Sequence, residues 1–110
     1  MIHTNTETIT GYEITQTLGV VRGTSVRAKW FGADIVSGLK NMVGGELTQY
    51  MKLLTEAREK SIERMNADAK ELKADAIVNI RFMTSQISQG AAEILVYGTA
   101  VKVKKKAKKK

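Results

Sequence analysis

Residues 93–103, EILVYGTAVKV, constrain this chain more than any other stretch. Alternation puts Leu95, Tyr97, Thr99, Val101 and Val103 on one face of a strand, and Ile94, Val96, Gly98 and Ala100 on the other. Both faces are largely apolar. An antiparallel strand of a small protein usually turns one face to water, so this pattern demands cover on both sides. One side can be met by a helix of the same chain. For the other, a second subunit is the economical candidate.

Two further segments read as strands. In YEITQTLGVV (12–21), Tyr12, Ile14, Leu18 and Val20 share one face, with Gln16 interrupting it, and Gly11 and Gly23 bracket the run. RGTS (22–25) reads as a turn or bulge. In AIVNIRFM (76–83), Val78, Ile80 and Phe82 oppose Ile77, Asn79, Arg81 and Met83. The polar TSQISQGAA (84–92) then reads as a connection.

Between these strands the period changes. In WFGADIVSGLKNMV (30–43), apolar residues recur every three to four positions, which predicts a short amphipathic helix. Gly44 and Gly45 end it. ELTQYMKLLTEAREKSIERMNADAKELK (46–73) is the strongest helical segment, with Leu47, Met51, Leu54, Ile62, Met65, Ala69 and Leu72 as its apolar stripe, widened by Tyr50 and Ala57. The order strand, short helix, long helix, strand, strand is α+β, with helices on one face of a small antiparallel sheet. Three strands and one long helix make a thin core for a lone subunit, and oligomerisation would remedy that.

The net charge of +7 misleads until it is located. Seven of the 18 basic residues (Lys102, Lys104, Lys105, Lys106, Lys108, Lys109 and Lys110) follow Val101, leaving 11 against the 11 acidic residues that all precede it. A nucleic-acid-binding fold carries its basic patch on the folded surface; here the body is neutral and the charge is terminal. The expected organisation is one domain over 1–103 and a disordered lysine tail over 104–110. Lys104, Lys105, Lys106, Lys108, Lys109 and Lys110 can bind polyanions by counterion release. No aromatic side chain is interleaved for base stacking, so contact with nucleic acid is expected only through this tail.

No cysteine is present, which removes disulfides, thiolate nucleophiles and Cys-ligated metal. The one histidine, His3, cannot supply the three or four ligands a transition metal needs within one chain. A symmetric ring could gather several copies of it; an unattached terminus is the plainer reading. No Ser/His/Asp set forms without that residue, and neither phosphate-loop nor dinucleotide fingerprint occurs. A non-enzymatic protein is expected, with no cofactor. No run approaches the roughly 18 apolar residues of a membrane span, and a cytoplasmic location is the simplest expectation. Gly44 and Gly45 could present N–H groups to an anion or simply form a tight turn. Arg22 and Asp34 could orient a ligand or form an ion pair between subunits.

Several collinear motifs resemble one family. Gly19-Val20-Val21 with Gly23, Val43-Gly44-Gly45 with Tyr50, Ala74-Asp75-Ala76, and Gly98-Thr99-Ala100-Val101 are similar to the YbjQ-like family, generally described as "putative heavy-metal-binding". The likeness runs from Tyr12 to about Val103. It implies a dodecin-like βαββ subunit, a three-stranded antiparallel sheet on one long helix plus a short helix, assembled as a homopentameric ring. The motif residues Gly19, Arg22, Gly23, Asp34, Gly44, Gly45, Tyr50, Asp75, Gly98 and Thr99 become candidates for ligand or interface contacts. Departures also count. Arg81, Met83 and Thr84 stand where relatives carry acidic or aromatic groups, and Lys73 replaces a usual glycine. No metal site is therefore carried over. The expected function is a small-ligand-binding or scaffold role in a homo-oligomer, with tail-borne polyanion binding or the family's metal binding as alternatives.

Overall fold

A computed structural model describes residues 1–28, 45–88 and 91–107. The elements are β1 (Ile2–His3), β2 (Tyr12–Ala28), α1 (Gly45–Glu71), β3 (Ala76–Ser88) and β4 (Ala91–Lys105). The sheet order is β1-β3-β4-β2, with β1 parallel to β3 and the other pairs antiparallel. The α+β class holds. The three-stranded antiparallel sheet is corrected to a four-stranded mixed one, because the first residues add a short parallel edge. The expected short helix at 30–43 lies outside the described residues.

The strands are longer than their alternation suggested. RGTS is no turn: β2 continues through it to Ala28, pairing Arg22 with Tyr97, Gly23 with Val96 and Thr24 with Leu95. Glycine is needed at 23 for proximity, not for a bend. A Cβ there would run into the Ser61 carbonyl oxygen and stand 2.6 Å from the Met65 nitrogen. Likewise the polar residues 84–88 extend β3 rather than leaving it.

Bulges reset which side chains point inward. Between Val78 and Arg81, two residues of β3, Asn79 and Ile80, face one of β4, Gly98, and Asn79 takes up the extra residue at φ 55. Asparagine tolerates that left-handed conformation better than most side chains. The shift puts Ile77 and Ile80 together in the helix-side core and leaves Val78 on the far face. It thus overturns the simple alternation. Two more irregularities, at 14–16 and 17–19 of β2, act alike. Gly19 sits in the second at φ 135. The strand buries Val21, whereas Val20 is 72% exposed.

α1 lies on β2 and β4. Its buried stripe is Ala57, Ser61, Met65 and Ala69, spaced by four. Small residues there bring the helix backbone close to β2. The polar Ser61 is accommodated because its hydroxyl donates to the Ala57 carbonyl at 2.9 Å and lies 3.1 Å from that of Ile94. Met51 and Leu72, expected in the stripe, are 50% and 41% exposed. The helix ends in a Schellman motif: Ala74 N–H donates to Ala69 O and Lys73 N–H to Lys70 O, with Lys73 at φ 60.

The far face of β4 is partly covered from within. Ala76, Val78 and Val101 form a second core cluster against Ile2, Ile9, Ile14 and Val103. The cover that the two-faced strand demands around Val101 thus comes from the chain's own N-terminal arm. Further along, that face is open, and Met83 is 56% exposed.

Candidate functional site

The candidate residues fall into three places rather than one. Arg22 and Gly23 meet helix residues in a cleft of about 430 Å³ completed by Thr24, Arg64, Ala67, Asp68 and Glu71. It forms where the edge strand β2 passes beneath α1. Asp68 accepts a hydrogen bond from the Arg22 backbone N–H at 3.3 Å, and the Arg64 guanidinium donates to the Thr24 carbonyl. The helix side chains therefore satisfy outward backbone groups of β2, a common protection for an exposed strand edge. Two arginines and two carboxylates leave the cleft near neutral. It can orient a dipolar ligand by hydrogen bonds, and it offers no strong field for a lone anion.

Gly19, Gly98 and Thr99 lie on neighbouring rungs of the β2–β4 pair, where Gly19 opposes Ala100, Val20 opposes Thr99 and Val21 opposes Gly98. Gly98 backs onto the β3 bulge: a Cβ there would be 2.7 Å from Ile77 Cγ2 and 2.9 Å from the Val78 carbonyl oxygen. Glycine at 98 thus permits the close approach of β4 to β3. Asp75 stands elsewhere, at the turn from α1 into β3. Its carboxylate accepts from the Val103 N–H at 3.0 Å and lies 3.7 Å from Lys102 Nζ, while its own N–H donates to the Val101 carbonyl at 2.9 Å. It extends the β3–β4 ladder by one residue and does not line the Arg22–Asp68 cleft.

Gly45 is the first residue of α1, and Tyr50 lies within it, with its side chain outside the described set. Asp34, Gly44, Lys108, Lys109 and Lys110 also lie outside the described residues. At the other terminus β4 runs to Lys105, past the expected end at Val103. Lys104 pairs with Glu13 at 3.6 Å, and Lys106 N–H donates to the Gly11 carbonyl at 2.9 Å.

A second cleft, of about 290 Å³, was not anticipated. His3, Thr4 and Asn5 of the arm, Ile62 and Met65 of α1, and Ile80 and Phe82 of β3 line it. It opens because α1 lies over β2 and β4, leaving the helix-side face of β3 short of cover; Phe82 is 48% exposed. The residues missed in the sequence are Arg64, Asp68 and Glu71. Their i, i+4 and i+3 spacing marks one helix stripe, but nothing in it indicates which strand it meets. Ser25 was missed as well. It is buried and, among the described residues, its hydroxyl has no hydrogen-bond partner.

A helix laid across two strands of a four-stranded mixed sheet defines a small α+β protein. The chain belongs to the family whose model is described as "Putative heavy-metal-binding", matched over residues 1–104. It is 61% identical over 103 residues to a UPF0145 protein of Methanosarcina acetivorans, covering 94% of this chain and 97% of the relative. A UPF0145 protein of Psychromonas ingrahamii is 55% identical over 105 residues, covering 96% and 100%. Among solved structures, a protein of unknown function from Pediococcus pentosaceus of the DUF74 family shares the fold at a TM-score of 0.65 and 17% identity, covering 94% of this chain and 98% of that one. Among the described residues, no helix is long and apolar enough to cross a membrane.

Proposed function

We propose that this chain is a non-enzymatic subunit of a homo-oligomeric ring, a pentamer, that serves as a scaffold or binds a small ligand where subunits meet. The observation that carries the reading is shape. The radius of gyration is 17.8 Å and the extents are 60 × 28 × 16 Å, whereas a compact chain of about 100 residues has a radius near 13 Å. So drawn-out a subunit leaves apolar surface uncovered, as at Val20, Phe82 and Met83. Packing between copies would remove that surface from water. The polar cleft at Arg22 and Asp68 lies at the β2 edge, where a neighbour could complete it. The pentameric number rests on the family resemblance, and the cytoplasm is the location proposed.

Light scattering coupled to gel filtration, with native mass spectrometry, tests this directly. Five chains per particle, with or without a retained small molecule, is the expected result. A stable monomer at micromolar concentration overturns it.

A second reading, polyanion binding through the terminal lysines, is favoured by one observation. Lys102 lies 3.7 Å from Asp75 and Lys104 3.6 Å from Glu13, so two of the seven terminal lysines are offset by carboxylates and the other five follow Lys104 in the sequence. Several such termini on one particle would act multivalently. Binding to heparin should weaken steeply with salt and vanish on truncation after Lys104.

A further inference from the structure

The family's description raises a heavy metal, and the donors present can be tested against it. A zinc-like ion takes three or four N, S or O donors at about 2.0–2.3 Å. The chain has no cysteine and one histidine. Among the described residues, no three His, Cys, Asp or Glu side chains gather closely enough to hold an ion. The donors outside that set, Asp34 and the side chain of Glu46, are carboxylates, which suit hard cations rather than soft ones.

The imidazole itself is already engaged. His3 Nε2 lies 2.5 Å from Asn66 Oδ1 on α1, and as an amide oxygen can only accept, Nε2 carries the proton. That tautomer keeps the ring's lone pair on Nδ1, so it is the missing co-ligands, and not this bond, that weigh against a metal. Around the ring, the lining of the cleft is Thr4, Asn5, Ile62, Met65, Ile80 and Phe82, with no carboxylate and no second imidazole.

His3 has another task in view. Residues 2–6 run along the outer edge of β3 and bridge its bulge. Thr4 N–H donates to Ile77 O at 3.0 Å, Ile80 N–H to Thr4 O at 3.1 Å, and Asn79 N–H to Thr6 O at 3.1 Å. Arg81 Nη1 donates to Asn5 O at 2.9 Å. These bonds hold the arm to the sheet; the His3–Asn66 bond ties it to the helix layer. We infer that His3 is a latch joining the N-terminal arm to α1, and that the family's heavy-metal description does not extend to the donor set of this chain.

The test uses the full chain without an added tag. Calorimetry and native mass spectrometry with Zn²⁺, Ni²⁺, Cu²⁺ and Ag⁺ read the metal; Ag⁺ is included because Met65 offers a thioether. Amide exchange at Asn79 and Ile80 reads the latch. No stoichiometric uptake is expected at micromolar protein. His3→Gln can give the same N–H to Asn66 and should hold exchange within about twofold of the unsubstituted chain. Asn66→Ala should speed it about fivefold, the equivalent of one ordinary hydrogen bond. Uptake of any of these ions at a fixed ratio to the chain overturns the metal half of the inference, and its loss in His3→Gln would assign the ion to His3. Unchanged exchange in Asn66→Ala overturns the latch.

Discussion

Gly23 of β2 lies against the backbone of α1 at Ser61, so close that a Cβ at 23 would collide with the Ser61 carbonyl oxygen. That contact sets the distance between helix and sheet. It seats Met65 and Ala69 in one cluster with Val21 and Val96, and it brings Arg64 and Asp68 to the β2 edge.

Gly23→Ala is therefore expected to destabilise by about 2–3 kcal/mol, the upper range for overpacking, since the obstacle is backbone and cannot rotate away. Urea unfolding at fixed chain concentration measures it. A loss below about 0.5 kcal/mol would mean that the helix is not seated as described.

Lys73→Gly should stabilise the chain by about 1 kcal/mol. Lys73 occupies the left-handed position of a Schellman motif, where a side chain with a Cβ is strained and glycine is not. A rise in the urea midpoint with an unchanged slope is the expected signature. Part of the gain is offset because glycine also has more freedom in the unfolded chain.

Ser25→Ala is expected to be neutral or to stabilise by up to about 1 kcal/mol, because it removes a buried hydroxyl that has no partner among the described residues. Ser61→Ala should instead cost about 1 kcal/mol, since that hydroxyl is bonded to the Ala57 carbonyl. Measured side by side, only Ser61→Ala should lose stability. Equal losses would contradict the assignment of partners.

Asp75→Ala should cost about 1–2 kcal/mol and speed amide exchange at Val103, whose N–H donates to the carboxylate. Asp75→Asn retains an acceptor oxygen and should lose much less. The Lys102 contact adds little, since both side chains are more than a third exposed. If Asn proves as damaging as Ala, the charge rather than the hydrogen bond is what matters.

Part of this was legible from residues alone. The long helix, three strands and the two-faced character of β4 all follow from periodicity. The site was less legible. Arg22 and Gly23 were marked, but their partners Arg64, Asp68 and Glu71 were not, because a helix stripe does not name the strand it will meet. Asp75 was marked as a contact residue, and the structure makes it a ladder extension.

The sequence by itself determined which segments are amphipathic and that β4 needs cover on both faces, because side-chain period is a local property of the chain. Only the tertiary structure decided what that cover is and which alternate residues point inward. A single extra residue at Asn79 reverses the facing of β3 from Ile80 as far as the next register shift at Gln86, and Ile2 and Ile9 reach the far face of the sheet around Val101 from the opposite end of the chain. Backbone register and long-range packing settle both, and neither leaves a mark in the local pattern.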